Sequence, residues 1–351
     1  MPMHMHRSLI TLLENIIMKQ FFLICVFTQI VQLQAQNHEM EQDNHRHISL
    51  APVSIMGDHS HPKGEWMFSF RTMSMDMGKN YEGSSAISSS SVFQSGFMVS
   101  PTKMKMQMHM IGLMKAFSDI STLMIMLPYK ELEMDHLTKM GKTFSTKTSG
   151  LGDIKISWIK DLKPRSSFEL LFKLGLSIPT GSVDERGDAM VSDAKLPYPM
   201  QLGSGSFSLL PGLTYSKEYS KIIFGSQFNG TLRIDENDQG YELGDRYQLS
   251  SWLTTKWNSA FSSSLMLEWQ KWGSVKGKDS ELNAMMVPTA DPDNFSGDRL
   301  DIALSLKYTA CHGVLLNHSL GVEYKLPMRQ NLDGPQMGLE SAFNFSWSFI
   351  W

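Results

Sequence analysis

The feature that most constrains this sequence is a repeated alternation of apolar and polar residues in runs of about ten or slightly more. Clear examples are the runs 166–178, 298–309 and 340–351. Such an alternation puts successive side chains on opposite faces of a β-strand, and this length suits a tilted strand that crosses a bilayer. After the amino-terminal region no stretch approaches roughly 18 consecutive apolar residues, so the sequence predicts no membrane helix.

A strand placed at every alternating run predicts twelve strands, joined by connections that alternate between short and long. The strands are expected near 65–77, 103–115, 120–132, 150–160, 166–178, 205–215, 221–233, 245–257, 261–272, 298–309, 316–326 and 340–351. Short turns fall at 116–119, 161–165, 216–220, 258–260 and 309–315, and long loops near 78–102, 133–149, 179–204, 234–244, 273–297 and 327–339.

Short turns at one end and long loops at the other, with an even number of strands, are typical of outer-membrane barrels. We therefore predict an all-β fold: a transmembrane up-and-down antiparallel β-barrel of about 12 strands over residues 64–351, with short periplasmic turns and long extracellular loops. A soluble β-sandwich is the alternative. A barrel of this size lies between filled and open ones, so we expect a narrow lumen or one plugged by the loops 78–102, 179–204 and 273–297.

The two faces of the predicted strands differ in charge. One face is apolar, with aromatic residues such as Trp66, Trp158 and Trp269 near strand ends, as a membrane-interface girdle requires. The other face is ionic and is predicted to line the lumen. Its members are Arg71, Lys103, Lys105, His109, Asp153, Lys155, Glu169, Lys173, Arg246, Lys256, Glu268, Arg299, Asp301, Lys307, Glu323 and Lys325.

The amino-terminal region has the pattern of an export signal. Residues 18–35 combine Lys19, an apolar core and a cleavage position after Ala35, so we expect a signal peptide there. We expect translation to start at Met18, which makes residues 1–17 a wrongly assigned extension. Residues 36–63 form a His/Met-rich segment expected in the periplasm. The predicted location is the outer membrane of a Gram-negative cell, and the predicted partners are lipid, lipopolysaccharide and the barrel-assembly machinery that would read the carboxy-terminal strand ending at Trp351.

Composition excludes several other classes. The net charge of −3 provides no electrostatic footprint for nucleic acid. Cleavage after Ala35 would leave Cys311 as a lone thiol, which rules out an intrachain disulfide. Acidic residues cluster in long loops, for example at Asp184 and Asp188, but loop acids on an exported barrel are usually solvated. We predict no catalytic residues and no enzyme, with a barrel hydrolase as a remote alternative.

Several short motifs carry a family resemblance. Gly150-Leu151-Gly152-Asp153, the segment 174–182 with Pro179-Thr180-Gly181-Ser182, and the Gly-rich segment 202–205 occur in this order. Over residues 64–351 the chain resembles the phenol meta-degradation-pathway (MetA-pathway) outer-membrane family, often labelled "transporter", in a Met/His-rich branch. The resemblance implies an outer-membrane barrel that moves small molecules. It supplies no catalytic residues, and it makes uptake of aromatic or phenolic compounds an alternative.

Methionine is the compositional outlier, with 27 residues, of which fifteen lie between Met56 and Met140. Thioethers and imidazoles are ligands that soft Cu(I) and Ag(I) select. The predicted metal-binding residues are His38, His45, His47, His59, His61, Met67, Met73, Met75 and Met77. On the strand 103–115, the methionines from Met104 to Met110 lie opposite in parity to Lys103 and Lys105, which predicts that they face lipid. A solvated tail without metal is the alternative for 36–63.

These patterns predict an outer-membrane channel or transporter for a small polar solute or a metal ion, with copper or silver as the favoured metal. The cofactor hypothesis is correspondingly Cu(I) or Ag(I). A metal-binding envelope barrel without transport is the alternative from a different class.

Overall fold

The structure is a computed structural model that describes residues 49–164, 166–189 and 192–351. The extension 1–17, the signal peptide 18–35 and the predicted ligands His38, His45 and His47 lie outside the described residues. Among the described residues no helix is both long and apolar enough to cross a membrane.

The described residues form mainly β-strands. In chain order these are β1 Trp66–Gly83, β2 Ser85–Ile87, β3 Val99–Ser118, β4 Ser121–Thr138, β5 Thr143–Leu151, β6 Ile154–Asp161, β7 Glu169–Ile178, β8 Arg186–Gly187, β9 Ala194–Lys195, β10 Ser208–Tyr219, β11 Ile222–Arg233, β12 Tyr241–Glu242, β13 Arg246–Lys256, β14 Phe261–Trp272, β15 Lys276–Gly277, β16 Gly297–Thr309 and β17 His318–Ile350. A short helix, α1, spans Ser89–Gln94, and single 3-10 turns occur at Tyr198–Met200, Pro288–Ala290 and Gly313–Leu315.

Eleven strands close a ring in the order β1-β3-β4-β6-β7-β10-β11-β13-β14-β16-β17, with β17 pairing back to β1 and every pair antiparallel. Outside the ring, β2 pairs with β1 and β5 pairs with β4. The long β17 doubles back near Gly334, whose φ of +76° favours glycine. Its first half pairs with β16 and its second half with β1, while Ile350 N donates to Asn317 O at 3.3 Å. Twelve strand segments therefore cross the barrel, and the predicted fold class is confirmed.

The predicted strand positions agree closely with the observed ones, and β14 has the predicted bounds. Two predicted long loops are wrong. Residues 133–149 mostly continue β4 and form β5, because Met134, His136 and Thr138 continue the buried alternation of β4. Glu133 and Lys147 lie 2.7 Å apart across the two strands. Residues 327–339 are strand with a tight turn, since the Gln330 side chain holds the backbone of Leu339 across the hairpin.

The outer face of the ring is apolar and exposed, as a lipid-facing surface must be. Leu253, Leu304 and Phe343 are typical of this face. The ring closes at the short-turn end, where Trp66 N donates to Trp351 O at 2.9 Å and the two indoles stack with 6.3 Å between centroids. Lys115 lies over the Trp66 ring at 4.1 Å, so an aromatic and basic girdle forms at this interface.

Two segments of the chain enter the lumen. Residues 49–61, here called the plug, lie inside the short-turn half, with Val53 and Ile55 almost fully buried. Residues 194–206, here called the cap, enter from the long-loop end with Leu196 and Met200 buried. The expectation of a plugged lumen thus holds for the loop 179–204. The plug lies in the segment predicted to be periplasmic.

Candidate functional site: the barrel lumen

One wall of the lumen is built from methionine. On β1, β3 and β4, the inward-facing positions include Met67, Met73, Met75, Met77, Met104, Met106, Met108, Met110, Met114, Met124, Met126 and Met134. These strands are adjacent, and the methionines pair directly across them, as at Met73↔Met108, Met75↔Met106 and Met77↔Met104. Directly opposed residues have Cβ atoms about 5 Å apart. The result is a thioether-rich surface, interrupted by Arg71 on β1 and by Pro128 and Lys130 on β4, here called the methionine wall.

The prediction that Met104–Met110 face lipid is wrong. Met104 is buried at 3% exposure and packs on Met134 and the cap. Register fixes the parity, because Arg71 reaches inward to the plug and lies directly opposite Met110. The whole β3 methionine series therefore lines the lumen.

The same parity shows that the predicted lumen position is wrong for three residues. Lys103, Lys105 and His109 lie on the outer face of β3, with both lysines exposed. His109 stacks on the outward Phe70 ring with 6.2 Å between centroids. These polar side chains point outward because β3 extends past the apolar belt toward the long-loop end, where an outward lysine meets water rather than lipid.

The ends of the methionine wall are covered and its middle is open to the lumen. At the long-loop end, Met104 and Met134 lie beneath the cap residues Leu196, Met200 and Leu202. At the other end, Met67, Met114 and Met124 pack in a cluster that includes Met56 of the plug. Between them Met73, Met75 and Met108 are half-buried. The part of the lumen between plug and cap, here called the chamber, thus has partly accessible thioethers on one side.

A second wall carries positive charge. Lys155 on β6 and Lys173 on β7 point inward, and Lys173 Nζ donates to Asn229 Oδ1 at 2.6 Å. Lys155 interacts electrostatically with three other inward cations, Lys130, Arg233 and Arg246, against one carboxylate, Asp153. Arg246, the first residue of β13 at the long-loop end, is exposed. Cations therefore outnumber anions on this part of the wall, here called the basic wall.

Trp272 lies between two arginines of the same lumen. The Cζ atoms of Arg246 and Arg299 lie 5.6 Å and 6.0 Å from its ring centroid. Arg299 also donates from Nε to Asp301 Oδ1 at 2.8 Å. An indole framed by guanidinium groups offers a flat apolar face within a polar lumen.

The remaining predicted lumen residues take part in ion pairs or in hydrogen bonds with neutral side chains. Lys325 Nζ lies 2.6 Å from Glu268 Oε1, and Glu323 accepts hydrogen bonds from Ser305 and Asn344. These carboxylates are almost fully buried. At the short-turn rim, Lys256 Nζ pairs with Glu218 at 2.7 Å, and Glu169 accepts from Ser216 at 2.9 Å. Lys256 and Glu169, both predicted to line the lumen, thus lie on the inner face at this rim.

The ring holds the plug through its backbone carbonyls. Arg71 Nη1 donates to Val53 O at 2.5 Å and to Ile55 O at 3.0 Å, and Lys307 Nζ donates to Ala51 O at 2.6 Å. These are charge-assisted hydrogen bonds, which are stronger than neutral ones. Three further ring side chains complete the attachment: Gln227 donates to Met56 O, Thr254 to Leu50 O, and Glu323 accepts from Ser54 N.

The motifs that carry the family resemblance meet at the base of the cap. The Asp153 carboxylate accepts from Gly181 N at 3.0 Å and from Ser204 N at 2.9 Å. Gly181 and Gly203 approach so closely that a Cβ on either would collide with the other's backbone. The motifs thus fasten the cap to the ring, and Asp153 is an anchor as well as a lumen residue.

Outside the membrane-spanning strands, charge pairs hold the long loops together. Lys195 of the cap lies 2.9 Å from Asp184 and 3.3 Å from the buried Asp279. Hydrogen bonding and attraction from Lys195, with help from Arg186, hold the pKa of Asp184 below its ordinary value. Burial raises the pKa of Tyr241, which packs edge-on against Tyr198 in the same region, to about 12. The phenol therefore stays neutral at physiological pH.

The predicted histidine ligands that are described, His59 and His61, lie in the plug and are buried. Among the described residues no group of three or more His, Cys, Asp or Glu side chains is arranged to hold a metal ion. Sequence patterns missed the plug and the methionines on β4. The plug has no periodicity to reveal it, whereas the β4 methionines share the parity of Lys130 and could have been found by register.

Comparison with known proteins indicates the fold. No family model matches the chain, and no curated protein matches it. The COG4313 outer membrane channel from Pseudomonas putida F1 is similar in structure, with a TM-score of 0.59 and 13% identity over 89% of this chain and 100% of that one.

Two further barrels match more loosely. The KdgM porin has a TM-score of 0.38 and 10% identity over 81% of this chain and 98% of its own. The translocator domain of autotransporter NalP from Neisseria meningitidis has a TM-score of 0.45 and 7% identity over 82% and 88%. At this level of identity, what the chain shares with the Pseudomonas protein is its fold, that of a transmembrane barrel of the outer-membrane type.

Proposed function

We propose that the protein is an outer-membrane channel that passes a soft monovalent metal ion, Cu(I) or Ag(I), along the methionine wall. The observation that supports this most strongly is the direct pairing of methionines from neighbouring strands at both ends of the lumen and in the chamber between them, as at Met114↔Met124, Met104↔Met134 and Met73↔Met108. Plug and cap are the closures of the passage, and no residue is assigned a catalytic role.

The chemistry of thioethers supports this solute. Sulfur ligands select soft d10 ions over Na⁺, Mg²⁺ and Ca²⁺, which prefer oxygen. A conducting pathway needs many sites of moderate strength, so that an ion enters one and leaves for the next. Methionines at alternate positions are about 7 Å apart along a strand, and their flexible side chains shorten the step between neighbouring sulfurs.

Liposome flux tests the proposal. The full chain and a variant lacking residues 49–61 are reconstituted, and entry of Ag⁺ is measured by mass spectrometry beside entry of K⁺. We expect Ag⁺ to enter at least about tenfold faster than K⁺, a preference of roughly 1.4 kcal/mol, and the deletion to raise both rates. Equal rates, or no Ag⁺ entry with either protein, would contradict the proposal.

A second candidate solute is a small organic anion, including an aromatic one, in keeping with the family resemblance. The basic wall around Lys155 and Lys173 and the Trp272 ring between two arginines favour it. Reversal potentials in planar bilayers distinguish the candidates. An anion channel is more permeable to chloride and benzoate than to K⁺, and it is no more permeable to Ag⁺ than to K⁺.

A further inference from the structure

A small cavity lies where the plug meets the foot of the methionine wall. It is lined on one side by plug residues that include Met56 and His59, and on the other by Met67, Met114 and Met124. The three wall methionines are each at most 6% exposed and belong to one packed cluster. The cavity therefore brings an imidazole from the plug to a group of thioethers from three adjacent strands.

The Asp58 carboxylate holds the His59 ring through one of its two nitrogens. Its Nδ1 lies 3.1 Å from Asp58 Oδ1, and the other Asp58 oxygen accepts from the Ser49 hydroxyl at 2.7 Å. The ring packs edge-on against His61 with 4.6 Å between centroids. A carboxylate on one ring nitrogen commonly fixes a histidine so that the other nitrogen can bind a metal.

The remaining nitrogen has no partner. His59 is 6% exposed, and its Nε2 is buried without a hydrogen-bond partner among the described residues. A buried polar atom left unpaired costs about 1–3 kcal/mol, and a metal ion bound at Nε2 would remove that cost. Neutral imidazole and thioether together form a donor set for Cu(I) or Ag(I).

The charges around the cavity balance. Arg71 and Lys307 are cationic, Asp58 and Glu323 are anionic, and the four interact with one another. With neutral ligands in a neutral surrounding, a bound ion brings its full charge into the lumen. A monovalent ion costs less to place there than a divalent one, which again favours Cu(I) or Ag(I).

We propose that His59 Nε2 and the thioethers of Met67, Met114 and Met124 form a discrete binding site for Cu(I) or Ag(I) that ties the plug to the wall. Binding joins a plug residue to ring residues, so the metal stabilises the closed state of the lumen. The inference rests on the proposed function for the identity of the metal, whereas its geometry stands independently of any passage.

Silver binding to the full chain in detergent tests the site. Ag⁺ is titrated by calorimetry into the wild type and into His59→Gln, Met114→Leu and Met328→Leu, the last being an exposed outer-face control. We expect one tight site in the wild type and the control, weakened at least about tenfold in His59→Gln and several-fold in Met114→Leu. Heat-modifiable migration on gels checks that each variant is folded.

X-ray absorption at the silver edge is the second readout, taken at one equivalent of Ag⁺. Mixed nitrogen and sulfur ligation that becomes sulfur-only in His59→Gln is the expected result. Identical affinity and ligation in folded His59→Gln would overturn the site while leaving the channel proposal intact. Conversely, an intact tight site in a protein without Ag⁺ flux would overturn the channel and leave the site.

Discussion

Two of the walls that line this lumen carry side chains of opposite character. The methionine wall presents polarizable, uncharged side chains that pack on one another and on cap and plug. The wall from β14 to β17, here called the charged wall, instead buries charges that form ion pairs, as in Glu268 with Lys325 and Arg299 with Asp301. From this difference we expect the methionine wall to tolerate changes of side-chain shape, and the charged wall to lose stability when either member of an ion pair is removed.

The largest expected effect is on stability, and it falls on the charged wall. Glu268→Ala leaves Lys325 buried without its partner, which should lower the free energy of unfolding by about 3 kcal/mol. Met108→Leu keeps volume and apolarity, and should cost under about 1.5 kcal/mol. Equilibrium unfolding in detergent, followed by tryptophan fluorescence, measures both. Equal losses in the free energy of unfolding would mean that the two walls are equally sensitive to substitution.

The next effect is on metal flux, and it falls on the methionine wall. The triple change of Met73, Met75 and Met108 to Leu removes three of the half-buried sulfurs of the chamber while preserving its packing. Ag⁺ flux in liposomes should fall about tenfold, with chloride flux unchanged as the control. A parallel fall in both fluxes would point to a change of pore shape rather than loss of ligands.

The smallest effect is on charge selectivity, and it falls on the basic wall. Replacing Lys155 and Lys173 by Gln removes two of the clustered cations without adding bulk. The anion-to-cation permeability ratio from reversal potentials should fall a few-fold, with a smaller change at high salt because the potential is screened. Lys103→Gln and Lys105→Gln, which alter the outer face, serve as matched controls. An equally large change of the permeability ratio in the controls would show that the basic wall does not set the charge selectivity.

Strand positions were predictable from the sequence because a half-buried strand leaves a period-two signature, as β14 shows. Which face of β3 points into the lumen was not predictable in this way. Its Lys103 and Lys105 suggested an inward polar face, but a strand that outruns the bilayer can carry charge outward, and a lumen can be apolar. The register with Arg71 resolves this ambiguity, and register is a property of strand pairs rather than of one strand.

The lumen contents were less predictable than its wall. Residues 49–61 have no repeating pattern, and their place is set by hydrogen bonds from Arg71, Lys307 and Gln227, which lie far along the chain. The sequence did mark His59 and Met67 as metal candidates through residue type. Their approach to one cavity depends on the path of the plug, which local sequence does not encode.

The central claim, that the methionine wall carries soft metal, can be tested most directly by anomalous diffraction from crystals of the full chain soaked in a silver salt. We expect anomalous peaks between paired methionines of the chamber, such as Met75 with Met106 and Met73 with Met108. Peaks confined to exposed outer methionines such as Met328, with an unlabelled chamber, would contradict it.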